Sequence, residues 1–154
     1  MIDAPIRVLF LCTGNSARSQ LAEALLGRMG GAGFDVASAG TEPKGVNPCT
    51  IRVLADHGID WTGATSKLAS QFVGQPWDYV ITVCDRARQA CPVFPGEHIR
   101  LHWGLEDPAE VEGTDVEKLA AFQRTAVDLT QRLRLFVEVA LRAAGRAPGP
   151  AAAR

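Results

Sequence analysis

The sequence has no apolar run near the roughly 20 residues that a membrane-spanning helix needs, and no basic segment followed by a secretory apolar run at its N-terminus. It has no excess of charge of one sign, because 16 Lys and Arg face 17 Asp and Glu. This balance argues against a nucleic acid or an anionic membrane as the main partner. Its four cysteines are too few for a disulfide scaffold. We therefore expect a cytoplasmic protein whose thiols pack in the core or carry chemistry.

The length and composition indicate one folded unit. A chain of 154 residues that is 47% hydrophobic can bury one core but is too short for two ordinary domains. We expect a single domain over residues 1–144. The last ten residues, GRAPGPAAAR, have little to bury, so we expect a disordered tail over residues 145–154.

Strand-like and helix-like segments alternate along the chain. The run Ile6–Leu11 is continuously apolar, as in a strand buried on both faces, and the apolar spacing then changes to that of a helix. Thr114 and Glu117 form a capping box before a long amphipathic stretch of one or two helices. This alternation predicts an α/β fold with a four-stranded, parallel sheet and helices on both faces. The predicted strands are 6–11, 34–39, 77–83 and 99–103, and the predicted helices are 20–29, 50–57 and 114–144.

Three reactive residues follow predicted strands. Cys12 comes directly after the first strand, Cys84 after the third, and Asp107 lies in the loop after the fourth. In parallel sheets, functional residues collect beyond the carboxyl ends of the strands. We therefore expect these three side chains on one rim of the sheet.

The loop after the first strand, CTGNSARS, is typical of an oxyanion-binding loop. It contains no proline, so its backbone N–H groups can donate, and the next helix directs its N-terminus at the enclosed ligand. Gly14 allows a left-handed turn, and Arg18 would favour the thiolate form of Cys12. The alternative is a buried structural cysteine beside an ordinary turn. The predicted oxyanion-binding residues are Thr13, Gly14, Asn15, Ser16, Ala17, Arg18 and Ser19.

Four segments carry a family resemblance: CTGNSARS (12–19), SAGTEPKGVNP (38–48), ITVCDRARQACPVFPG (81–96) and HWGLEDPA (102–109). Together they resemble the thioredoxin-coupled arsenate reductases, which are built on the fold of the low-molecular-weight protein tyrosine phosphatases. The two cysteines of the third segment make the resemblance specific to the reductases. It extends from Ile6 to the region of Ala140.

The resemblance implies a relay of three cysteines. Cys12 would attack arsenic while Arg18 holds the oxygens, and Asp107 would protonate the departing hydroxide. Cys84 would release arsenite by forming a disulfide with Cys12, and Cys91 would then pair with Cys84. Thioredoxin would be the external reductant. We expect no bound cofactor, no metal and a monomeric chain.

The second disulfide makes a demand on the structure. Between Cys84 and Cys91 an intact helix would rise about 10.5 Å, whereas a disulfide needs Cα atoms within about 7 Å. We therefore expect Asp85–Pro92 to unwind or loop out in the oxidised protein, where it would expose the Cys84–Cys91 disulfide to a reductant.

Other interpretations stay open at this point. The same loop suits a tyrosine phosphatase, although the segment after Pro108 lacks the aromatic residues that line a phosphotyrosine cleft. A reductase coupled to a low-molecular-weight thiol and a non-catalytic oxyanion-binding or metal-sensing module are further alternatives. Cys84 and Cys91 can also be core residues, or zinc ligands together with His98 and His102, although their spacing matches no common zinc pattern.

One position departs from the family pattern. Some relatives bind potassium through residues that match Asn15, Glu23, Ser38, Thr65 and an acidic residue two positions later. Here that last position is Lys67. An ammonium group would repel a cation and neutralise Glu23, so we expect weak or no potassium dependence.

Overall fold

Four parallel strands form the sheet of this chain in a computed structural model that describes residues 3–146. Across the sheet, the second strand along the chain is followed by the first, the third and the fourth, so the first and third strands are neighbours. Each strand agrees with its predicted range to within two residues at either end. The strands are β1 (Ile6–Cys12), β2 (Phe34–Gly40), β3 (Tyr79–Thr82) and β4 (Ile99–His102).

The four α-helices differ greatly in length. The longest, α4, is one continuous helix, and Thr114 and Glu117 form the predicted capping box at its start. The first, α1, begins two residues before the predicted start, so that Arg18 lies in its first turn. The helices are α1 (Arg18–Gly30), α2 (Pro48–Asp56), α3 (Asp85–Ala90) and α4 (Asp115–Ala143), with short 3-10 turns at Gly31–Gly33, Ala69–Phe72 and Pro108–Glu110.

The central strand β1 is buried on both faces, as its continuous apolar sequence predicts. Val8 and Phe10 belong to the larger core, which α1, α2 and α4 cover. Leu9 and Leu11 belong to a smaller core on the opposite face, where the 3-10 turn Ala69–Phe72 takes the place of a long helix. The helical cover predicted for both faces is therefore unequal, with the long helices on one side.

The carboxyl ends of the strands meet at one edge of the sheet. Leu11 of β1 lies opposite Thr82 of β3, so Cys12 and the residues just after β3 come together at that edge. The last described residue does not lie at this edge. The Arg146 guanidinium is instead 3.5 Å from the Asp3 carboxylate, near the start of β1. Residues 147–154 of the expected disordered tail lie outside the described residues. No helix in the described part of the chain combines the length and apolarity that a membrane span requires.

Candidate active site

The nucleophile and the loop that follows it line one cleft. Cys12 ends β1, the loop occupies residues 13–17, and α1 begins at Arg18, so the N-terminus of this helix faces the loop. The predicted rim is confirmed, because Cys84 and Asp107 face the same cleft. The cleft has a volume of about 360 Å³ and is lined by Cys12, Thr13, Gly14, Ser16, Ala17, Arg18, Glu42, Lys44, Cys84, Asp85, Arg86, Leu105, Asp107, Ala109 and Glu110.

Two polar groups contact the sulfur of Cys12. The backbone N–H of Asn15 donates to Sγ over 3.2 Å, and the hydroxyl of Ser19 lies 2.7 Å from Sγ. The side chain itself is only 3% exposed. This environment supports a nucleophile that is fixed in place and reached from the cleft, rather than a thiol packed only among apolar side chains.

The left-handed residue of the loop is Asn15 rather than Gly14, which corrects the sequence prediction. Asn15 has a φ of 47°, whereas Gly14 is not among the residues with positive φ. A Cβ at position 14 would lie 2.7 Å from Cε of Lys44, so a larger residue there would displace the Lys44 side chain from the loop. Asn is among the residues that tolerate this conformation best after glycine.

The side chain of Asn15 joins the loop to two other elements. Its amide nitrogen donates to the hydroxyls of Ser19 and Ser38, over 2.8 and 2.9 Å. Its amide oxygen accepts from Gln20 Nε2 at 3.0 Å and from the backbone N–H of Lys67 at 2.9 Å. Asn15 is fully buried, so these bonds satisfy polar groups that would otherwise be costly to bury.

Beyond Asn15, the hydrogen bonds continue to a buried acidic residue. Ser38 Oγ donates to Glu23 Oε1 over 2.6 Å, and the ammonium of Lys67 lies 3.7 Å from the same oxygen. Lys67 Nζ also donates to the carbonyl of Thr65 over 3.0 Å. Burial raises the pKa of Glu23 above its usual 4.5, while Ser38 and Lys67 act in the opposite direction. The ammonium of Lys67 therefore lies beside the carboxylate that we expected it to neutralise.

Arg18 connects the loop to the segment after β4. Its Nη1 donates to the carbonyl of Leu105 over 2.9 Å, and its Nη2 lies 3.4 Å from Oδ2 of Asp107. The other carboxylate oxygen of Asp107 accepts from the N–H of Ala109 over 3.0 Å. Arg18 and Asp107 are both largely buried and face the cleft, where a guanidinium fork can bind an oxyanion.

Cys84 lies at the start of α3 and contacts the oxyanion loop. Its sulfur accepts from the N–H of Ala87 over 3.4 Å, which caps the helix, and lies 3.3 Å from Thr13 Oγ1. Thr13 is the residue next to Cys12. The structure thus connects the first two cysteines of the predicted relay through a single side chain.

Cys91 does not line the cleft. It follows α3 and packs against the smaller core on the other face of the sheet, while its thiol donates to the carbonyl of Pro92 over 3.4 Å. Partial burial raises the pKa of the Cys91 thiol, and the positive charge of Arg100 opposes that effect. The third predicted cysteine is therefore separate from the first two in this conformation.

Five charged residues of the cleft were not predicted as site residues from the sequence, namely Glu42, Lys44, Asp85, Arg86 and Glu110. Lys44 packs across Gly14, and the Arg86 guanidinium lies 3.8 Å from the Glu42 carboxylate, near the mouth. Glu42 and Lys44 are part of the segment SAGTEPKGVNP, but no spacing rule places this segment against the loop. The contact depends on backbone hydrogen bonds from Glu42 to Thr13 and from Lys44 to Gly14, which only the tertiary structure reveals.

Metal ligation has no support from the arrangement of side chains. Within residues 3–146, no three His, Cys, Asp or Glu side chains are gathered as a metal site would require. The four residues considered as zinc ligands, Cys84, Cys91, His98 and His102, therefore do not form one cluster.

The geometry of a buried cysteine, an oxyanion loop and an arginine at a helix start defines the class of this protein. A model of the low molecular weight phosphotyrosine protein phosphatase family matches residues 7–144, and the chain belongs to this family. Its similar relatives include the arsenate reductase of Halalkalibacterium halodurans, which is 44% identical over 131 residues, or 85% of this chain and 94% of the relative. The arsenate reductase of Bacillus subtilis is 40% identical with the same coverage. The resemblance drawn from the motifs is thereby confirmed.

Solved structures agree with these relatives. An arsenate reductase in its phosphate binding state aligns with a TM-score of 0.70 and 30% identity, over 87% of this chain and 98% of that chain. A thioredoxin-dependent arsenate reductase of Corynebacterium glutamicum aligns with a TM-score of 0.61 and 32% identity, over 88% of this chain and 65% of that chain.

Replacing Lys67 by methionine should destabilise the protein more at neutral than at acidic pH. The folded pKa of Glu23 is already above its unfolded value, so ionising Glu23 lowers stability as the pH rises through that folded pKa. Without the ammonium this cost grows, by about 1–3 kcal/mol for a charged group left with fewer partners. Urea unfolding at pH 7 and near pH 4 measures the difference. Lys118→Met, on the exposed surface of α4, is the control, and an equal loss at both pH values would contradict the assignment.

Potassium should activate the protein weakly or not at all, because the Lys67 ammonium already contacts the Glu23 carboxylate and the Thr65 carbonyl. Rates of arsenate reduction in potassium and in sodium chloride at matched ionic strength measure this. A large activation that only potassium gives would show that Lys67 does not take the place of the ion.

Proposed function

We propose that this chain reduces arsenate to arsenite through Cys12, Cys84 and Cys91, with thioredoxin as the external reductant. The observation that carries the proposal is the position of Cys12 and Cys84 at the ends of adjacent strands, in one cleft and linked through Thr13. A phosphatase needs only the first of these cysteines. A reductase needs a second thiol close to the first, because two electrons must reach the arsenic.

The oxyanion-binding role belongs to Thr13, Gly14, Asn15, Ser16, Ala17, Arg18 and Ser19. Backbone N–H groups at the start of α1 and the Arg18 fork can hold the oxygens of a tetrahedral anion. The phosphate binding state of the similar arsenate reductase supports an oxyanion as the ligand. Arsenate and phosphate have the same shape and charge, so the loop alone does not separate them. The cysteines beyond the loop supply the selectivity for reduction.

In the first step the Cys12 thiolate attacks arsenic and forms a sulfur–arsenic bond. An arsenic–oxygen bond breaks, and the hydroxide leaves as water with a proton from Asp107 acting as general acid. Asp107 lies beside Arg18 at the cleft, where it faces the loop from the segment after β4. No electrons have reached arsenic at this stage, which remains in the +5 state.

In the second step Cys84 attacks the sulfur of Cys12. The sulfur–arsenic bond breaks with its electron pair on arsenic, so arsenic leaves as arsenite in the +3 state and a Cys12–Cys84 disulfide forms. The two electrons come from the two thiols. Cys84 is placed for this attack by its contact with Thr13 and by its position at the start of α3.

In the third step Cys91 attacks Cys84 and frees Cys12 as a thiol. The Cys84–Cys91 disulfide then passes to a dithiol reductant, for which the thioredoxin-dependent relative supports thioredoxin. Cys91 packs against the smaller core and partial burial raises its pKa, which lowers the fraction of reactive thiolate in this conformation. Opening of α3 would both bring Cys91 to Cys84 and release it from burial. We expect one chain to suffice and to act in the reducing cytoplasm.

A phosphotyrosine phosphatase is the leading alternative, because the family and the oxyanion loop are shared. Among the described residues, no aromatic side chain lines the cleft, where Ala109 and Glu110 stand after Pro108. An aryl phosphate would lack an apolar wall to pack against, so we expect only weak phosphatase activity. A low-molecular-weight thiol in place of thioredoxin is the second alternative.

Serine variants of the cysteines should separate these functions. With arsenate, thioredoxin, thioredoxin reductase and NADPH, Cys12→Ser, Cys84→Ser and Cys91→Ser should all lose multiple turnover, because each breaks one step of the relay. Cys49→Ser is the matched control, since Cys49 lies in α2 outside the cleft, and it should retain activity. NADPH oxidation measures the rates.

The result for Cys91 decides the reductant. Normal turnover of Cys91→Ser with thioredoxin would contradict the third step and favour a low-molecular-weight thiol. Retained turnover of Cys84→Ser would contradict the relay itself.

The segment Asp85–Pro92 should lose amide protection when Cys84 and Cys91 are oxidised, because α3 lies between the two cysteines, and a helical rise over seven residues, about 10.5 Å, exceeds the about 7 Å between Cα atoms that a disulfide allows. Hydrogen exchange of the reduced and oxidised proteins measures this change, and α2 serves as an internal reference. Equal protection of the segment in both forms would contradict the opening of α3.

A further inference from the structure

Three side chains, joined by hydrogen bonds, connect the start of α3 to the edge strand β4. Thr82 Oγ1 lies 2.7 Å from His102 Nδ1, and His102 Nε2 lies 2.8 Å from Asp85 Oδ1. Thr82 is buried at the end of β3, whereas the Asp85 side chain is 81% exposed. The imidazole thus bridges a fixed hydroxyl and a carboxylate on the surface.

These hydrogen-bonded side chains lie next to the cysteines of the proposed relay. Asp85 is the first residue of α3 and the immediate neighbour of Cys84, while His102 is the last residue of β4. Gly104 lies against the pair, where an added Cβ would be 3.4 Å from His102 Nε2 and 3.6 Å from Asp85 Oδ1. The backbone therefore passes close to the hydrogen bond and covers one side of it.

We propose that the Asp85–His102 hydrogen bond is a latch that holds α3 in its helical form and thereby sets the reduction potential of the Cys84–Cys91 pair. The inference rests on the proposed relay, in which α3 must open for the second disulfide. Asp85 lines the cleft next to Cys84, but the role proposed here for Asp85 and His102 is that of positioning residues, which act on the cysteines through the helix.

Besides the latch, this end of α3 is held by the buried side chain of Ala87 and by weak polar contacts. With six residues, α3 is far shorter than the about 12–15 residues at which isolated helices become even marginally stable. The cap from Cys84 Sγ to the N–H of Ala87 is 3.4 Å long and belongs to the sulfur that enters both disulfides. The other ion pair of this segment, Arg86 with Glu42, is 3.8 Å long and highly exposed.

The direction in which the reduction potential changes follows from the half-reaction of the Cys84–Cys91 pair. Two thiols give one disulfide, two protons and two electrons, and the latch belongs to the dithiol form with α3 intact. Removing the latch destabilises the dithiol form relative to the disulfide. The reduction potential should therefore become more negative, which makes the Cys84–Cys91 disulfide easier to form and harder for an external dithiol to reduce.

The charge of Asp85 offers a competing explanation, because an acidic residue in the first turn also stabilises a helix through its dipole. The two effects differ in their dependence on His102. A dipole effect persists when His102 is removed, whereas a latch effect vanishes. A double-mutant cycle separates them.

The test measures the disulfide equilibrium without arsenate. In the full chain carrying Cys12→Ser and Cys49→Ser, the Cys84–Cys91 pair is equilibrated with mixtures of reduced and oxidised dithiothreitol and quantified by thiol alkylation and mass spectrometry. Asp85→Ala and His102→Ala each remove one partner of the hydrogen bond and should each shift the equilibrium constant toward the disulfide by about three- to tenfold, or about 15–30 mV for a two-electron couple. The double variant should shift it no further than the larger single shift.

Asp56→Ala is the matched control, because it removes one carboxylate from the exposed end of α2, where Asp56 pairs with Arg52. It should leave the potential unchanged. Asp85 is exposed, so Asp85→Ala should fold normally even if His102→Ala does not. An unchanged potential in Asp85→Ala, or an equal shift with and without His102, would overturn the latch. A potential shift in this variant, together with no arsenite release by the protein that keeps all four cysteines, would overturn only the relay, and failure to form the Cys84–Cys91 disulfide would overturn both.

Discussion

Asn15 holds the oxyanion loop in a left-handed turn between β1 and α1, a conformation that costs a residue other than glycine about 1–3 kcal/mol. Its hydrogen bonds to Ser19, Ser38 and Gln20 offset this cost, and its own N–H is thereby directed at the sulfur of Cys12. The positions of the nucleophile, of the loop and of the first turn of α1 all depend on this one residue.

The site combines a rigid part with a compliant part. The loop is fixed by buried hydrogen bonds that run from Cys12 through Asn15 to Glu23 and Lys67. By contrast, α3 is six residues long and lies mostly at the surface. Binding and attack at arsenic require a preorganised loop, whereas transfer of a disulfide over a long distance requires a segment that opens. The two requirements are met by neighbouring elements at the same edge of the sheet.

The fold and the rim could be predicted because they follow from local patterns. Continuous apolar strands and helical spacing determine a parallel sheet, and a parallel sheet brings Cys12 and Cys84 to one edge. What could not be predicted depends on contacts between distant segments. Lys44 packs across Gly14, Cys91 packs against the second core, and His102 reaches Asp85 across 17 positions of the chain. Contacts of this kind cannot be deduced from the spacing of residues along the sequence.

A single turnover tests the central claim most directly. Cys91→Ser retains Cys12 and Cys84 but cannot pass the disulfide on, so the reduced variant mixed with arsenate in the absence of any other thiol should stop after one cycle. The account predicts one arsenite per chain together with a Cys12–Cys84 disulfide, identified by peptide mass spectrometry. Arsenite without that disulfide, or no arsenite from a folded and fully reduced variant, would contradict it.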